Sequence, residues 1–226
     1  MKLCMEIRDR FKDAAWFNIS KQKEILLVGA GGIGSNFLYN LTKSIPLKSV
    51  KVLDDDVVEE WNIGTQFFAL TDLHKYKVDA AANSALYYTG ESVIFPIVDR
   101  LKNTVYPITV TAVDNMTARK QAFELWKKLP NKELFIDGRL RAMLFEIFAV
   151  TPGNEDRYEQ TLFLDKEGDE DSCTLKQTTH YGMAIGSMMT QVLCNYFSNL
   201  AIGEDICVIP FHVLSLGEAF YFKVEK

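Results

Sequence analysis

Four glycines that follow a short apolar run have the spacing and the chemistry to hold a phosphate. They are Gly29, Gly31, Gly32 and Gly34. Where an apolar strand stops at glycines and a helix begins, several backbone N–H groups and the positive end of the helix dipole point at one place. Roughly twenty residues further on, Asp54 and Asp56 stand at the tip of the next apolar run, where carboxylates accept hydrogen bonds from ribose hydroxyls. These residues together predict a nucleotide site.

A second polar group follows another apolar run. Asp114 and Asn115 come directly after residues 108–113, which have the composition of a buried strand. The carboxyl ends of parallel strands share one edge of a sheet, and open α/β folds bind their ligands at that edge. We therefore expect Asp114 to lie at the same edge as Asp56.

The elements that must carry these residues alternate between strand and helix. Apolar runs predict strands at residues 25–28, 50–54, 92–98, 108–113 and 134–137, and helical periodicity predicts helices at residues 35–43, 72–88 and 117–129. Such alternation implies a mainly parallel sheet with buried strands. After Gly138 we expect a strand at residues 143–150, a polar loop at 152–172, a helix at 179–200 and closing strands at 207–209 and 220–224. The predicted fold class is α/β: a Rossmann-like, mainly parallel sheet flanked by helices, with mixed or antiparallel C-terminal strands.

Length and composition limit the class of protein. A chain of 226 residues with 48% hydrophobic residues can build one sizeable core, so we interpret residues 1–226 as a single domain with an N-terminal arm at 1–24. The net charge of -5 comes from interspersed charges, which argues against a nucleic-acid partner. Residues 1–23 have no apolar signal core and no run reaches about eighteen apolar residues, so we expect a cytoplasmic protein without a membrane partner. The cysteines form no Cys-x-x-Cys pair, which argues against a zinc site.

The glycine spacing alone fits a dinucleotide-binding oxidoreductase as well, so the order of several motifs decides the interpretation. The motifs are Gly-x-Gly-Gly-x-Gly-Ser, Leu-Asp-Asp-Asp at residues 53–56, Trp61-Asn62-x-x-x-Gln66, Tyr76-Lys77-Val78, and Val113-Asp114-Asn115 followed by Arg119. In this order they resemble the ThiF/MoeB/HesA superfamily of ubiquitin-activating-type enzymes. The resemblance covers most of residues 25–120 and continues more loosely to the end of the chain.

This resemblance implies a ThiF-type adenylation domain. Such enzymes use ATP and magnesium to adenylate the C-terminal glycine of a ubiquitin-like or sulfur-carrier protein that ends in Gly-Gly, and they release pyrophosphate. A carboxylate that attacks a phosphate must overcome the repulsion between two anions, so the site needs fixed positive charge. The resemblance implies that Lys77 contacts the phosphates, Asp114 with Asn115 beside it holds magnesium, Asp56 binds the ribose with Asp54 nearby, and Asn62 and Gln66 line the phosphate site. The other interpretation of Lys77, which has Lys75 beside it, is an exposed surface charge.

The chain departs from the superfamily pattern at one charged position. Relatives commonly carry an arginine directly before the glutamine that corresponds to Gln66, and this chain has Thr65 there. Removing one preorganised charged donor costs on the order of a hundred- to a thousandfold in rate. Within the chain the candidate replacements are Arg119, Arg139 and Arg141. Because relatives dimerise and an N-terminal arginine of one subunit can reach the ATP of the other, we also expect a homodimer in which Arg10, or failing that Arg8, serves the partner's site. The other interpretation of Arg8 and Arg10 is that they are surface arginines on a short amphipathic helix.

Cys173 is a candidate nucleophile within a crossover loop at residues 152–180. Relatives that proceed beyond the adenylate place a thioester cysteine at a comparable point, and that chemistry requires a thiolate to displace AMP. Lys176 and His180 favour the thiolate, whereas an acidic run at residues 167–171 disfavours it. We weigh an acyl-accepting or sulfur-handling cysteine against a partly buried loop thiol. Cys194 and Cys207 have the surroundings of core residues, and Cys4 lies in a terminal segment.

Two other functions compete with adenylation. Thr65 favours a non-catalytic partner subunit, because a scaffold does not need the phosphate ligand that the chain lacks. An NAD-dependent oxidoreductase would use the same glycines, but the sequence contains no recognisable hydride-transfer constellation. We therefore expect an ATP-dependent activating enzyme whose catalytic residues are Lys77, Asp114, Arg10 and Cys173.

Overall fold

The computed structural model of the protein describes residues 7–163 and 178–226. The strands are β1 (Glu24–Val28), β2 (Ser49–Leu53), β3 (Ile94–Ile97), β4 (Ile108–Thr111), β5 (Leu134–Arg141), β6 (Leu144–Val150), β7 (His212–Leu216) and β8 (Tyr221–Glu225). The α-helices are α1 (Trp16–Ser20), α2 (Gly32–Ser44), α3 (Lys77–Thr89), α4 (Met116–Lys127), α5 (Glu155–Glu159) and α6 (Thr179–Ile202). Short 3-10 turns occur at Asp9–Phe11, Glu60–Asn62 and Leu70–Asp72.

In the described residues the strands form one eight-stranded sheet in the order β3-β2-β1-β4-β5-β6-β7-β8. The pairs from β3 to β5 are parallel, and β6, β7 and β8 are added in antiparallel fashion. This confirms the predicted α/β class with antiparallel C-terminal strands. Because β1 lies between β2 and β4, the turn that leaves β1 is flanked by the turns that leave those two strands.

Both faces of the parallel half are covered by helices. One apolar layer packs under α1, α2, α3 and α6, and a second packs under α4 and α5. Along β1 the side chains alternate, so that Ile25 and Leu27 enter the first layer while Leu26 and Val28 enter the second. A strand that is buried on both faces reads as an uninterrupted apolar run, which is why the sequence predicted it.

One predicted helix start and one predicted strand are wrong, and side-chain hydrogen bonds explain both differences. Helix α3 begins at Lys77 and not at residue 72, because Asp72 belongs to a 3-10 turn and accepts a hydrogen bond from the Ala69 N–H at 3.0 Å. The predicted strand at residues 207–209 does not form, because the Asn199 side chain binds both the N–H and the carbonyl of Cys207 at 2.7 and 2.8 Å. The closing strand predicted at 220–224 is confirmed as β8, and β7 is the other closing strand.

Strand β5 is longer than the sequence predicted. Its first half pairs with β4 as far as Asp137, and its second half, from Gly138 to Arg141, pairs with β6 alone. Arg139 and Arg141 therefore belong to the strand and do not follow it. The predicted polar loop at residues 152–172 contains the helix α5.

Candidate nucleotide site at the carboxyl edge of the sheet

The turn between β1 and α2 has room only for glycine at two positions. Gly29 has a φ of +94°, and a Cβ on it would lie 2.6 Å from the carbonyl oxygen of Ala112. A Cβ on Gly34 would lie 2.0 Å from the carbonyl oxygen of Gly29. The turn thus packs directly against the end of β4. Helix α2 begins at Gly32, after an N-cap at Gly31, and the N–H groups of its first turn have no intrahelical acceptor, which leaves donors for an anion.

Asp54 fixes this glycine turn to the end of β2. Its Oδ2 accepts a hydrogen bond from the Ala30 N–H at 2.7 Å, and its Oδ1 accepts one from the Asp56 N–H at 2.9 Å. Burial raises the pKa of the Asp54 carboxyl above its ordinary value, and the two backbone N–H groups and Lys77 oppose that shift. Both carboxylate oxygens are therefore engaged in shaping the turns that surround the site.

Lys77 and Asp56 form an ion pair beside the glycine turn. The Lys77 Nζ lies 2.7 Å from the Asp56 Oδ2, and the Lys77 side chain is only 9% exposed. The Lys77 N–H also donates to the Asp56 carbonyl at 2.9 Å, so that backbone and side chain both hold the pair. The interpretation of Lys77 as a surface charge is wrong. Lys75, by contrast, is a surface charge, since its side chain is 46% exposed and pairs with Asp72.

Asp114 and Asn115 follow β4 on the other side of the glycine turn. Both are exposed, and the Asn115 Nδ2 donates to the Asp114 Oδ1 at 3.1 Å. The Asn115 Oδ1 accepts from the Ala118 N–H at 2.8 Å and so caps α4. Asn115 is therefore a helix cap whose amide also orients the neighbouring carboxylate.

Asn62 and Gln66 lie in the segment that leads from β2 to α3. Asn62 is buried, and its Oδ1 accepts from the Glu59 N–H at 2.9 Å, which fixes the 3-10 turn. The amide of Gln66 lies beside Gly31, where an added Cβ would be 4.0 Å from the Gln66 Nε2. Within the described part of the chain the Gln66 Oε1 is buried without a hydrogen-bond partner. An unpaired buried acceptor beside a phosphate-type loop is a position that a bound ligand can satisfy.

Carboxylates suited to magnesium converge at the end of β2. Oxygen atoms of Asp54, Asp55 and Asp56 all lie within 4.8 Å of one another. Magnesium prefers such carboxylate oxygens together with substrate phosphates. Asp114, to which the sequence analysis assigned the metal, is not a member of this group and lies at the end of the other flanking strand.

The arginines that were candidates to replace the arginine missing at position 65 have different surroundings in the structure. Arg119 and Arg139 both bind the carboxylate of Asp137, which is fully buried. Arg141 is exposed at the end of β5, and Arg10 is exposed in the N-terminal arm.

Arg8 is fully buried and binds Glu91 with both terminal nitrogens at 2.8 Å. It also donates to the carbonyl of Thr42, in the last turn of α2. A helix of 13 residues is about 20 Å long at 1.5 Å per residue, so the arm lies at the opposite end of α2 from the glycine turn. Arg8 is therefore held inside its own chain, far from its own nucleotide site.

Asp137 is the residue that the sequence analysis missed, since it was treated only as the end of a strand. A signal was present in the sequence: an aspartate ends an otherwise apolar run, and arginines follow two and four residues later. A buried strand carboxylate requires nearby positive charge. That pattern predicts an internal ion pair, although not the participation of Arg119.

Cys173, Lys176, Cys4 and the acidic run at 167–171 lie outside the described residues. His180 is exposed in the first turn of α6. Cys194 and Cys207 are free thiols of intermediate burial. Burial raises the pKa of Cys194 to about 11, so that this thiol is protonated at neutral pH.

The fold is an α/β domain whose mainly parallel sheet carries a glycine turn at its carboxyl edge, and a family comparison gives its class. The ThiF family matches residues 7–207, and the chain belongs to this family. No helix within residues 7–163 and 178–226 combines the length and apolar character needed to cross a membrane.

Two curated relatives are NEDD8-activating enzyme E1 catalytic subunits. The one from Saccharomyces cerevisiae is 42% identical over 60 residues, which cover 26% of this chain and 20% of the relative. The one from Arabidopsis thaliana is 30% identical over 103 residues, which cover 42% of this chain and 22% of the relative. The match thus spans about a fifth of the length of these relatives.

Solved structures with the same fold include E. coli MccB, in complexes with ATP and with AMPCPP and MccA, and PaaA. The AMPCPP complex of MccB has a TM-score of 0.70 and 13% identity, over 94% of this chain and 66% of MccB. PaaA has a TM-score of 0.70 and 16% identity, with the same shares of each chain. The match spans slightly less than two thirds of those proteins, and at these identities it shows the fold.

Proposed function

We propose that this chain binds ATP at the carboxyl edge of its sheet and adenylates the C-terminal carboxylate of a ubiquitin-like or sulfur-carrier protein that ends in Gly-Gly. The observation that carries the proposal is the ion pair of Lys77 and Asp56 beside the glycine turn, with 2.7 Å between the Nζ and Oδ2 atoms. Each partner has a natural substitute in a nucleotide. A phosphate replaces the carboxylate for Lys77, and ribose hydroxyls replace the ammonium for Asp56.

In the proposed reaction, an oxygen of the substrate carboxylate attacks the α-phosphorus of ATP. The bond from that phosphorus to the bridging oxygen breaks, and pyrophosphate leaves with its electron pair. The N–H donors of the glycine turn and the ammonium of Lys77 reduce the repulsion between the two anions. Asp56 orients the ribose, and the Gln66 amide lies next to the phosphates.

The residues present also fit a magnesium ion, since Asp54, Asp55 and Asp56 converge within 4.8 Å and Asp114 lies at the end of β4, on the other side of β1. When bound, magnesium supplies further positive charge to the phosphates. We assign that ion to Asp114, with Asn115 orienting it, as the sequence analysis does. Asp56 is assigned to the ribose, and both carboxylate oxygens of Asp54 accept backbone hydrogen bonds.

Pyrophosphate exchange tests the proposed reaction. Labelled pyrophosphate should enter ATP when a Gly-Gly protein from the same organism is present, and K77A and D114A should each abolish the exchange. K75A is the matched control, because Lys75 is an exposed lysine two residues away and should leave the rate unchanged. The alternative of a non-catalytic partner subunit, which Thr65 favours, predicts no exchange and full biological activity of the K77A and D114A variants.

Homodimerisation is part of the proposal and concerns Arg10. Arg10 is exposed, and its arm packs at the far end of α2 from its own glycine turn, so its contribution would go to the site of a second copy. Mixing R10A with K77A tests this arrangement, because a mixed dimer contains one site with both residues intact. Recovery of activity in the mixture supports transfer of Arg10 between subunits. A monomer in solution, or no recovery in a verified mixed dimer, would contradict it and leave Arg141 as the replacement cation.

A further inference from the structure

A fully buried carboxylate sits beneath the turn that carries Asp114. Asp137 is the last residue of β5 to pair with β4, and it lies opposite Thr111. Its Oδ1 accepts hydrogen bonds from the Arg119 Nε at 2.6 Å and the Thr111 hydroxyl at 2.9 Å. Its Oδ2 accepts from the Arg139 Nε at 2.7 Å and the Tyr158 hydroxyl at 2.9 Å. Four donors on two oxygens hold this carboxylate in one orientation.

Arg119 connects this carboxylate to the candidate site. Its Nη2 donates to the carbonyl of Val113 at 2.7 Å, and Val113 directly precedes Asp114. The Arg119 side chain is only 6% exposed. Its planar guanidinium therefore bridges a fixed internal anion and the peptide group that leads into Asp114. From the other direction Asn115 caps α4, so that the backbone around Asp114 is held on both sides.

The location of the hydrogen-bond network around Asp137 indicates that it serves the candidate site more than the stability of the core. The layer around it is apolar and aromatic, with Phe123, Phe135 and Phe148 packed nearby. Buried ion pairs add little stability compared with apolar side chains of similar size, because both ions lose their hydration. The network is located one residue from Asp114, where a fixed backbone matters most for binding phosphates and metal.

We infer that Arg119 and Asp137 are positioning residues that hold Asp114 in place through the carbonyl of Val113. They touch neither nucleotide nor acyl substrate. This inference rests on the proposed adenylation, in which Asp114 is a ligand at the phosphates.

The variant R119K tests the inference. It keeps one positive charge beside Asp137, but a lysine ammonium cannot reproduce the fork that reaches Asp137 and Val113 together. Hydrogen exchange of the amides at residues 113–118, measured without nucleotide, should become at least about tenfold faster. The kcat of pyrophosphate exchange should fall by about a hundredfold, with the KM for ATP changed less, because small misplacements of a reacting group have effects of that size.

Y158F is the matched control, because it removes another hydrogen bond from the same carboxylate without touching Val113. It should lower the Tm while hydrogen exchange at residues 113–118 and kcat stay within about twofold of wild type. If R119K does not fold, R119M leaves Asp137 paired with Arg139, so that the buried charges balance, and should give a folded protein with the same loosened turn.

The outcomes separate the inference from the proposed function. The positioning role would be overturned if the amides at residues 113–118 exchanged hydrogen in R119K at the wild-type rate. It would also be overturned if R119K and Y158F changed hydrogen exchange at these amides equally. Absence of pyrophosphate exchange in the wild-type protein would instead overturn the proposed adenylation, and the amide measurements would still decide whether Arg119 orders the turn.

Discussion

The ammonium of Lys77 lies 2.7 Å from the carboxylate of Asp56, and the two residues stand at the start of α3 and just beyond the end of β2. Asp56 is 62% exposed on its side chain whereas Lys77 is 9% exposed, so the pair has one buried and one open partner. The two groups that we assign to phosphate and ribose bind each other. The proposed nucleotide contacts would replace this one contact with two.

The proposed role of Asp56 predicts that the protein prefers nucleotides with ribose hydroxyls. Wild-type protein should bind ATP more tightly than 2′,3′-dideoxy-ATP, because Asp56 accepts hydrogen bonds from ribose hydroxyls. In D56N this preference should shrink by about tenfold, since a hydrogen bond to a charged group contributes about 1.5 to 3 kcal/mol. Calorimetric titration of both nucleotides measures the ratio. An unchanged preference in D56N would assign the ribose to another residue.

The glycine turn predicts a steric requirement that does not depend on any ligand. G34A should lower the free energy of unfolding by about 1 to 3 kcal/mol, because the new Cβ would meet the Gly29 carbonyl oxygen at 2.0 Å and the backbone must move. G64A is the matched control, since nothing lies within 4 Å of a Cβ there. Urea denaturation of both variants provides the comparison. Equal stabilities would mean that the turn relaxes without cost.

Asp137 predicts a defined dependence of stability on pH. Burial alone would raise its pKa, but the guanidinium groups of Arg119 and Arg139 outweigh burial and hold the pKa below its ordinary value. Such a group stabilises the fold above its unfolded pKa of about 3.9, and this contribution is lost as pH falls through the lower folded pKa. D137N should therefore be about 3 to 5 kcal/mol less stable than wild type at pH 7.

Denaturant titrations of D137N and wild type at pH 7, 5 and 3 check the sign of that dependence. The difference between them should be full at pH 7 and 5 and smaller at pH 3. A difference that grows as the pH falls would show that Asp137 is protonated in the folded protein.

The raised pKa of Cys194 predicts that this thiol is unreactive at neutral pH. With a pKa of about 11, roughly one Cys194 in ten thousand is a thiolate at pH 7, so alkylation by iodoacetamide should be very slow.

The low reactivity of Cys194 makes C194A the matched control for a test of Cys173. On the interpretation of Cys173 as an acyl acceptor, a thioester adduct should form with C194A and be absent with C173A in the presence of ATP and a Gly-Gly protein, as read by mass spectrometry. An adduct that persists in C173A would remove the nucleophile role from that residue.

The sequence by itself determined the parallel half of the fold and the edge at which the candidate site lies. Apolar runs with intervening helical periodicity are local patterns, and strands that are buried on both faces are typically rich in apolar residues. Gly34 is likewise a local requirement, because a Cβ there would meet the carbonyl oxygen of Gly29. Gly29 is local only in its φ of +94°, since the carbonyl oxygen that its Cβ would meet belongs to Ala112. The end of β5 and the strand predicted at 207–209 were misjudged because they depend on groups outside those segments, namely the hairpin partner β6 and the side chain of Asn199, which lies eight residues before Cys207.

Only the tertiary structure decided which charges meet. Arg8 and Glu91 are 83 residues apart, Lys77 and Asp56 are 21 apart, and Arg119 and Asp137 are 18 apart. A charged residue has the same sequence signature whether it faces water, a ligand or an internal partner, so its role is set by the groups that the fold brings within hydrogen-bond distance. For that reason the arginines could be proposed from the sequence, whereas the commitment of Arg119 to Asp137 could not.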